Sequence, residues 1–282
     1  MNIIIIIIII QMSVISLTIS KPIVLIDQSY YIFNRYYATY SWYNRRFPDG
    51  INYETITEND EFVLAFFRHF ENDMAKIIKK FKTIKSNIIF CCDCFRTDIW
   101  RNDIYKDYKM TRAKKQNFNT LIFNLFKTYI SNHDYYCCDN DKLEADDVTY
   151  LIQKKIKEDY KNCSIVIVTN DNDYLQMYDT NTTIINMQFK DISLRIKANP
   201  DIELEFKIIY GDKSDNIPKI QTGLNKEKAI KIASMNDSNK NKYLEDNQLM
   251  DKYILNRKLV DLSQIPQNLS DDFYSKYNII KK

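Results

Sequence analysis

The chain has 282 residues, of which 45% are hydrophobic and 27% are charged, and its formal net charge is +3. These values are typical of a soluble globular protein with one large domain or two small ones. The only histidines are His69 and His133, and the six cysteines lack the spacing of a zinc site. The composition therefore argues against a histidine base or a histidine-bound metal, and it suits reduced thiols in an intracellular protein.

An unbroken isoleucine run covers residues 3–10, so we expect residues 1–20 to be a low-complexity N-terminal extension, with Met12 as a candidate start. Eight residues span about 12 Å as a helix, far less than the ~30 Å hydrocarbon core of a bilayer. No basic segment precedes the run and no small-residue cleavage pattern follows it. We therefore expect no membrane association; a signal or membrane anchor is the weaker alternative.

Short apolar runs alternate with helix-like segments along most of the chain. Strands are predicted at residues 23–27, 87–92, 134–138, 164–168 and 182–187. Helices are predicted at residues 29–38, from about 57 to 81, 118–131 and 143–158, with an irregular loop at 40–57. This alternation predicts an α/β fold with a mainly parallel central sheet and helices on both faces. From residue 200 the pattern is helical, so we expect a core at 21–199 and a helical C-terminal part at 200–282.

Acidic residues follow the predicted strands and begin the predicted helices and turns. They are Asp27, Asp93, Glu144, Asp146, Asp147, Asp171, Asp173, Asp212 and Asp215. The ends of parallel strands share one edge of a sheet, where so many carboxylates would repel each other unless hard divalent cations lie among them. Taken singly, the acids at 144–147 also suit an ordinary helix N-terminus, and those at 171–173 suit an ordinary polar turn.

A basic and aromatic stretch runs from Trp100 to Lys115. It contains Arg101, Tyr105, Lys106, Tyr108, Lys109, Arg112, Lys114 and Lys115, opposed only by Asp103 and Asp107. Aromatic rings stack on bases and cations pair with phosphates, so this composition suits a single-stranded or frayed nucleic-acid end. A solvated helix is the alternative interpretation.

The most specific string in the chain is Gly-Asp-Lys-Ser-Asp-Asn-Ile-Pro, from Gly211 to Pro218. It is preceded, in order, by Val24-Leu25-Ile26-Asp27, Phe90-Cys91-Cys92-Asp93, Trp100-Arg101, Tyr108-Lys109-Met110-Thr111-Arg112, Glu144-Ala145-Asp146-Asp147 and Thr169-Asn170-Asp171-Asn172-Asp173. Over about residues 21–265 this set resembles the flap endonuclease-like 5′ nucleases, which include bacteriophage and viral members and the 5′-nuclease domain of bacterial DNA polymerase I.

The resemblance implies a PIN-like core, a helical arch at about residues 94–117 and a C-terminal helix–two-turns–helix element. It implies two Mg²⁺ ions, with Mn²⁺ as an alternative. One ion would be held by Asp27, Asp93, Glu144, Asp146 and Asp147, and the other by Asp171, Asp173, Asp212 and Asp215. Lys109 and Arg112 would be catalytic, near the scissile phosphate. DNA contacts would come from Arg35, Arg101, Tyr108, Lys109, Arg112, Lys226 and Lys228.

The implied activity is that of a metal-dependent 5′-3′ exonuclease or flap endonuclease, acting as a monomer on branched or nicked DNA in replication or repair. RNA–DNA hybrids, as in primer removal, are a further expected substrate. Lys219 stands where the family usually has a glycine, which puts the family's K⁺ site in doubt. Two alternatives stay open: a non-catalytic, structure-specific DNA-binding scaffold and a PIN-type ribonuclease.

Overall fold

The computed structural model describes residues 12–112, 117–197 and 199–281. The isoleucine run, Lys114 and Lys115 lie outside these residues. The strands are β1 Ser13–Leu17, β2 Ile23–Asp27, β3 Ile88–Cys91, β4 Tyr136–Cys138, β5 Ile165–Val168, β6 Thr182–Ile185 and β7 Tyr277–Lys281. The helices are α1 Gln28–Arg46, α2 Asp60–Phe81, α3 Arg101–Ile104, α4 Leu121–Asn132, α5 Ala145–Asp159, α6 Pro200–Tyr210, α7 Lys226–Ala233, α8 Asp237–Asp246, α9 Met250–Val260 and α10 Gln267–Lys276.

Five strands form the central sheet in the order β4-β3-β2-β5-β6, and every pair in it is parallel. The first of these strands in the chain, β2, lies in the middle, with β3 on one side and β5 on the other. The strand order therefore reverses at β2, and α/β folds bind ligands at the carboxyl end of such a switch point. The predicted α/β fold with a parallel central sheet is confirmed.

The core lies on both faces of this sheet. Along β2, Ile23 and Leu25 pack on one face with α5, whereas Val24 and Ile26 pack on the other with α1, α2 and α4. All four side chains are fully buried. Because a strand covered on both faces has no polar side, its sequence is a continuous apolar run, which is why these strands could be predicted.

The C-terminal helices α6 to α9 form a third apolar cluster of their own, which also takes in Ile99 and Tyr108. The chain then returns through α10 to β7, which pairs in parallel with β1 in a separate two-stranded sheet. Among the described residues, no helix combines the length and apolar character that crossing a bilayer requires.

The structure corrects the expected N-terminal boundary. Residues 1–20 were expected to be an extension, but Ser13–Leu17 form β1, and Ile15 and Leu17 are buried in the main core. The partner strand β7 lies at the opposite end of the chain, so no local sequence pattern predicts this pairing.

Two further expectations need correction. Helix α1 continues to Arg46 instead of ending near residue 38, because Tyr36 and Tyr43 keep packing on Phe62 of α2, with ring centroids 5.6 and 6.4 Å apart. The expected arch at about 94–117 is mostly turns within its described part, residues 94–112 and 117. Its one helix there, α3, has four residues.

Candidate active site

Asp27 occupies the switch point, as the last residue of β2 and the N-cap of α1. Its Oδ1 accepts a hydrogen bond from the backbone N–H of Tyr30 at 3.0 Å, and its Oδ2 accepts one from the Thr169 hydroxyl at 2.9 Å. Thr169 follows β5, so the carboxylate is fixed between the two central strands. Thr169 is a site residue that sequence reasoning missed.

Asp93 follows β3 and ties that strand to the start of α5. It accepts hydrogen bonds from the Ser29 hydroxyl and from the backbone N–H of Ala145, the latter at 2.8 Å. Asp171 lies beyond β5 and caps the next turn by accepting from the N–H of Asp173 at 3.0 Å. The strand-end acids thus meet at one edge of the sheet, as predicted.

The N-terminus of α5 carries the next group of acids. Glu144, Asp146 and Asp147 each offer a carboxylate oxygen, and these oxygens lie within 4.8 Å of one another. Asp147 is fully buried and takes both terminal nitrogens of Arg101 at 2.8 Å, together with the indole N–H of Trp100 at 3.0 Å. These bonds hold Asp147 and the start of α5 in place, while its carboxylate also lies with those of Glu144 and Asp146 in a group that could hold a metal ion.

The second group of acids is built on a tight turn after α6. Gly211 has φ +74°, and a Cβ there would lie 2.4 Å from the carbonyl oxygen of Ile217, so only glycine suits this position. Backbone hydrogen bonds between Asp212 and Ile217 close the turn, and Asp212 accepts a further bond from the N–H of Ser214 at 2.7 Å. This explains physically why Gly211 to Pro218 is such a specific string.

This turn brings Asp212 and Asp215 to Asp173, with oxygens of all three carboxylates within 4.8 Å of one another. Lys207 of α6 bridges two of them, since its ammonium group pairs with Asp173 and lies 2.8 Å from Asp212. Sequence reasoning missed Lys207 because only the fold places this residue beside those acids.

The structure separates the nine acids by their partners. Five of them pair with a lysine or arginine: Glu144, Asp147, Asp173, Asp212 and Asp215. Four have no cationic partner among the described residues: Asp27, Asp93, Asp146 and Asp171. The four unpaired acids are not consecutive in the chain, so only the structure shows which acids lack a cationic partner.

The pKa shifts follow this division. Burial, and then repulsion from Asp93, raise the pKa of Asp27 to about 7. Desolvation by the surrounding protein is also the main cause of the raised pKa of Asp93, Asp146 and Asp171, although Asp93 and Asp171 keep exposed surface, and neighbouring carboxylates add to it. For Glu144, burial would raise the pKa, but Lys109 and Arg101 outweigh it and lower the pKa to about 2.

Lys109 joins the two acid groups. Its ammonium group pairs with Glu144 and lies 3.7 Å from Asp215, while its backbone N–H donates to the carbonyl of Asp215 at 2.9 Å. Arg112 also pairs with Asp215, yet its side chain is 45% exposed. Arg96, which sequence reasoning missed, donates to the carbonyls of Lys109 and Arg112 and closes this turn.

Three of the residues expected to contact DNA are already engaged within the protein. Arg101 is 1% exposed, and its guanidinium group is occupied by Asp147, Glu144 and a backbone carbonyl of α9. Tyr108 is 5% exposed and donates to Glu144 at 3.0 Å, so its ring is not open to a base. The guanidinium group of Arg35 pairs with Asp73.

Unlike those three residues, the two lysines expected to contact duplex phosphates lie on the protein surface. Lys226 and Lys228 are exposed in the first turn of α7, where Asn225 caps the helix. Nearby, the ammonium group of Lys219 donates to the carbonyl of Leu224 at 2.7 Å. Lys219, which stands where the resemblance leads us to expect a glycine, thus contacts the backbone just before α7.

Comparisons with known proteins agree with this geometry. The family model described as "5'-3' exonuclease, N-terminal resolvase-like domain" matches residues 22–203. The chain is 26% identical over 253 residues to "Ribonuclease H" of Enterobacteria phage T4, covering 79% of this chain and 81% of that protein. It is 26% identical over 208 residues to a "5'-3' exonuclease" of Mycoplasmopsis pulmonis, covering 71% of this chain and 62% of that protein.

The fold is also that of a solved structure, a bacteriophage T5 flap endonuclease in a pseudo-enzyme–product complex with DNA and metal ions. The TM-score is 0.58 with 12% identity, over 90% of this chain and 96% of the other. The resemblance to flap endonuclease-like 5′ nucleases is thereby confirmed. The chain belongs to the 5′-3′ exonuclease family, whose N-terminal resolvase-like domain occupies residues 22–203.

Proposed function

We propose that the chain is a divalent-metal-dependent 5′ nuclease that hydrolyses phosphodiester bonds near the 5′ ends and junctions of DNA. The observation that carries this proposal is the set of four acids at one edge of the sheet without a cationic partner among the described residues, Asp27, Asp93, Asp146 and Asp171. Carboxylates that are partly desolvated and repel one another resist ionisation, and a divalent cation relieves that cost.

The residues fit such a cation. The donors at this edge of the sheet are carboxylate oxygens, the ligands that Mg²⁺ and Mn²⁺ prefer, and neither a cysteine nor a histidine belongs to the two acid groups. Asp27, Asp93, Asp146 and Asp171 would hold the cations, with Glu144 and Asp147 beside them. Asp173, Asp212 and Asp215 would complete the set, although Lys207 already supplies part of the charge they need. Bound cations would supply an activated water and stabilise negative charge on the leaving oxygen.

Two cationic side chains, Lys109 and Arg112, reduce the negative charge that an incoming phosphate would meet. Lys109 neutralises Glu144 and part of Asp215, so that a phosphate meets less negative charge. Arg112 is anchored on Asp215 at one nitrogen and exposes the rest of its guanidinium group, which can donate to phosphate oxygens. We therefore propose Lys109 and Arg112 as the residues that stabilise the reacting phosphate.

The substrate is proposed from the relatives. A T4 relative is named Ribonuclease H and the T5 neighbour is bound to DNA, so we include RNA–DNA hybrids beside branched and nicked DNA. Lys226 and Lys228 are proposed to contact the duplex backbone, and the protein to act as a monomer. We propose no K⁺ ion, because Lys219 occupies the carbonyl of Leu224.

The test is cleavage of 5′-labelled flap, nicked, gapped and RNA–DNA hybrid substrates with Mg²⁺, with Mn²⁺ and with EDTA. We expect cleavage that requires the metal and falls to background in Asp146→Asn, while DNA binding by that variant persists. Folded wild-type protein that binds DNA without cleaving any substrate would instead support the scaffold alternative. Cleavage of RNA alone would support the PIN-type ribonuclease.

A further inference from the structure

One exposed arginine at the acid edge of the sheet has no role in the site described so far. Arg195 ends the 3₁₀ turn Ser193–Arg195, which follows β6. Ile192, just before this turn, is 1% exposed and donates its backbone N–H to the carbonyl of Ile184 in β6 at 2.8 Å. The backbone that carries Arg195 is therefore anchored on the sheet, while Arg195 itself stays exposed.

The guanidinium group of Arg195 is held in place by uncharged acceptors. Its Nη1 donates to the carbonyl of Asn170 at 3.2 Å and to Oδ1 of Asn172 at 2.9 Å, and its Nη2 donates to Oδ1 of Asn170 at 2.7 Å. Arg195 forms no ion pair with a carboxylate within the described ranges of the chain. The positive charge is therefore fixed in position without being neutralised.

The hydrogen bonds leave one edge of this guanidinium group free. A guanidinium carries five N–H donors in a fixed planar arrangement, and the bonds to Asn170 and Asn172 use three of them. Among the described residues, nothing accepts from the other two, which are the Nε–H and one Nη2–H. These two donors lie side by side, in the arrangement that binds two oxygens of a phosphate in a bidentate pair.

This free edge lies beside the acids, away from the cations already described. Asn170 and Asn172 flank Asp171 in the turn after β5, so Arg195 marks the β5–β6 end of the row of strand ends. Lys109 instead pairs with Glu144 at the start of α5, the part of the fold that Asp93 ties to β3. The acids of β2, β3 and β5 therefore lie between two separate sources of positive charge.

We propose that Arg195 is a phosphate-binding residue of the nucleic-acid site, whose free guanidinium edge takes a phosphate of the cleaved strand next to the one that is hydrolysed. Lys109 and Arg112 stabilise the reacting phosphate, and Arg195 fixes the strand on the other side of the acids. No acid has to be displaced first, because the partners of Arg195 are uncharged. This inference rests on the proposed nuclease function, since a nucleic acid is what brings successive phosphates to this edge.

The test measures how salt affects the binding of a 5′-flap DNA, in an Asp146→Asn background with Mg²⁺ so that the DNA stays uncut. Arg195→Gln removes the charge, and Arg195→Lys keeps the charge without the planar group. The matched control is Arg45→Gln. Arg45 is also exposed and also donates to a carbonyl, that of Ser41 at 3.2 Å, but it lies in the last turn of α1, at the opposite end of that helix from Asp27.

We expect Arg195→Gln to reduce the slope of log affinity against log salt by about 1, Arg195→Lys to restore it, and Arg45→Gln to leave it unchanged. An unchanged slope in Arg195→Gln would overturn the inference. So would a slope that Arg195→Lys does not restore, because the arginine would then serve only to hold the turn of Asn170 and Asn172.

A second measurement locates the phosphate. Single phosphates of the cleaved strand near the scissile bond are replaced by neutral methylphosphonates. At one position beside that bond, the replacement should weaken binding about fivefold when Arg195 is present and much less in Arg195→Gln. If the effect depends on Arg195 at no position, the inference fails. Cleavage by wild type is assayed separately: its absence would refute the proposed function, whereas an unchanged slope in a protein that cleaves would refute this inference alone.

Discussion

Replacing Asp27 with asparagine should change how the stability of the metal-free protein depends on pH. The pKa of Asp27 is about 7 in the folded protein, against an ordinary value of 3.8. Between these two values the unfolded chain has lost the proton that the folded protein still holds. The free energy of unfolding therefore falls as pH rises through this window and levels off above pH 7. At 1.36 kcal/mol per pH unit, the loss amounts to at most roughly 4 kcal/mol.

Asparagine does not titrate, so the unfolding free energy of Asp27→Asn lacks this decrease with rising pH. In EDTA, urea denaturation at pH 4.5 and 7.5 should show the variant gaining roughly 3 kcal/mol relative to wild type, because wild type has already lost about 1 kcal/mol at pH 4.5. Adding Mg²⁺ at pH 7.5 should restore stability to wild type and much less to the variant. The control is Asp237→Asn, measured in the same way, at an acid on α8 whose side chain is 92% exposed.

The reasoning would be refuted if the difference in unfolding free energy between Asp27→Asn and wild type changed by less than about 1 kcal/mol between the two pH values, since one pKa unit corresponds to 1.36 kcal/mol. It would mean that Asp27 ionises freely in the folded protein. The case for a metal at this edge of the sheet would then lose its electrostatic basis.

Further substitutions test the other parts of the site. Lys109→Ala should slow cleavage about 10²-fold or more, while its affinity for duplex DNA changes little. Single-turnover assays measure the cleavage rate and separate titrations measure the affinity; an affinity that fell as much as the rate would contradict this prediction. Arg101→Gln leaves buried carboxylates uncompensated and should cost about 3–5 kcal/mol in urea denaturation, whereas a loss below about 1 kcal/mol would show that the network adds no stability. Joint replacement of Lys226 and Lys228 by alanine should reduce the slope of log affinity against log salt by about 2, and an unchanged slope would exclude both from the interface.

The sequence predicted the central sheet well because its strands are buried on both faces, as Ile23 to Ile26 show. It could not predict β1, whose partner lies at the far end of the chain, nor the full length of α1, whose last turns are held by packing on α2. Local patterns report what a segment does on its own, and these features depend on contacts distant in the sequence.

The same limit applies to the site. The acids could be found from their place after apolar strands, and the structure brings them together. The basic stretch, however, mixes side chains that face inward with others that face outward. Arg101 and Tyr108 serve the buried acids, whereas Arg112 stays exposed. A sequence pattern of charged and aromatic residues does not distinguish inward-facing from outward-facing side chains. No local sequence pattern indicated a role for Lys207.

The division of the acids also bears on how many cations the site requires. The five acids paired with lysine or arginine need little further charge, whereas Asp27, Asp93, Asp146 and Asp171 together need the charge of two divalent cations. With only one such cation, the ionised group would stay negative and repel an incoming phosphate at short range. With two, the group is close to neutral, and the exposed part of Arg112 leaves the entrance positive. We therefore propose two cations instead of one, from the charge balance of the ionised site.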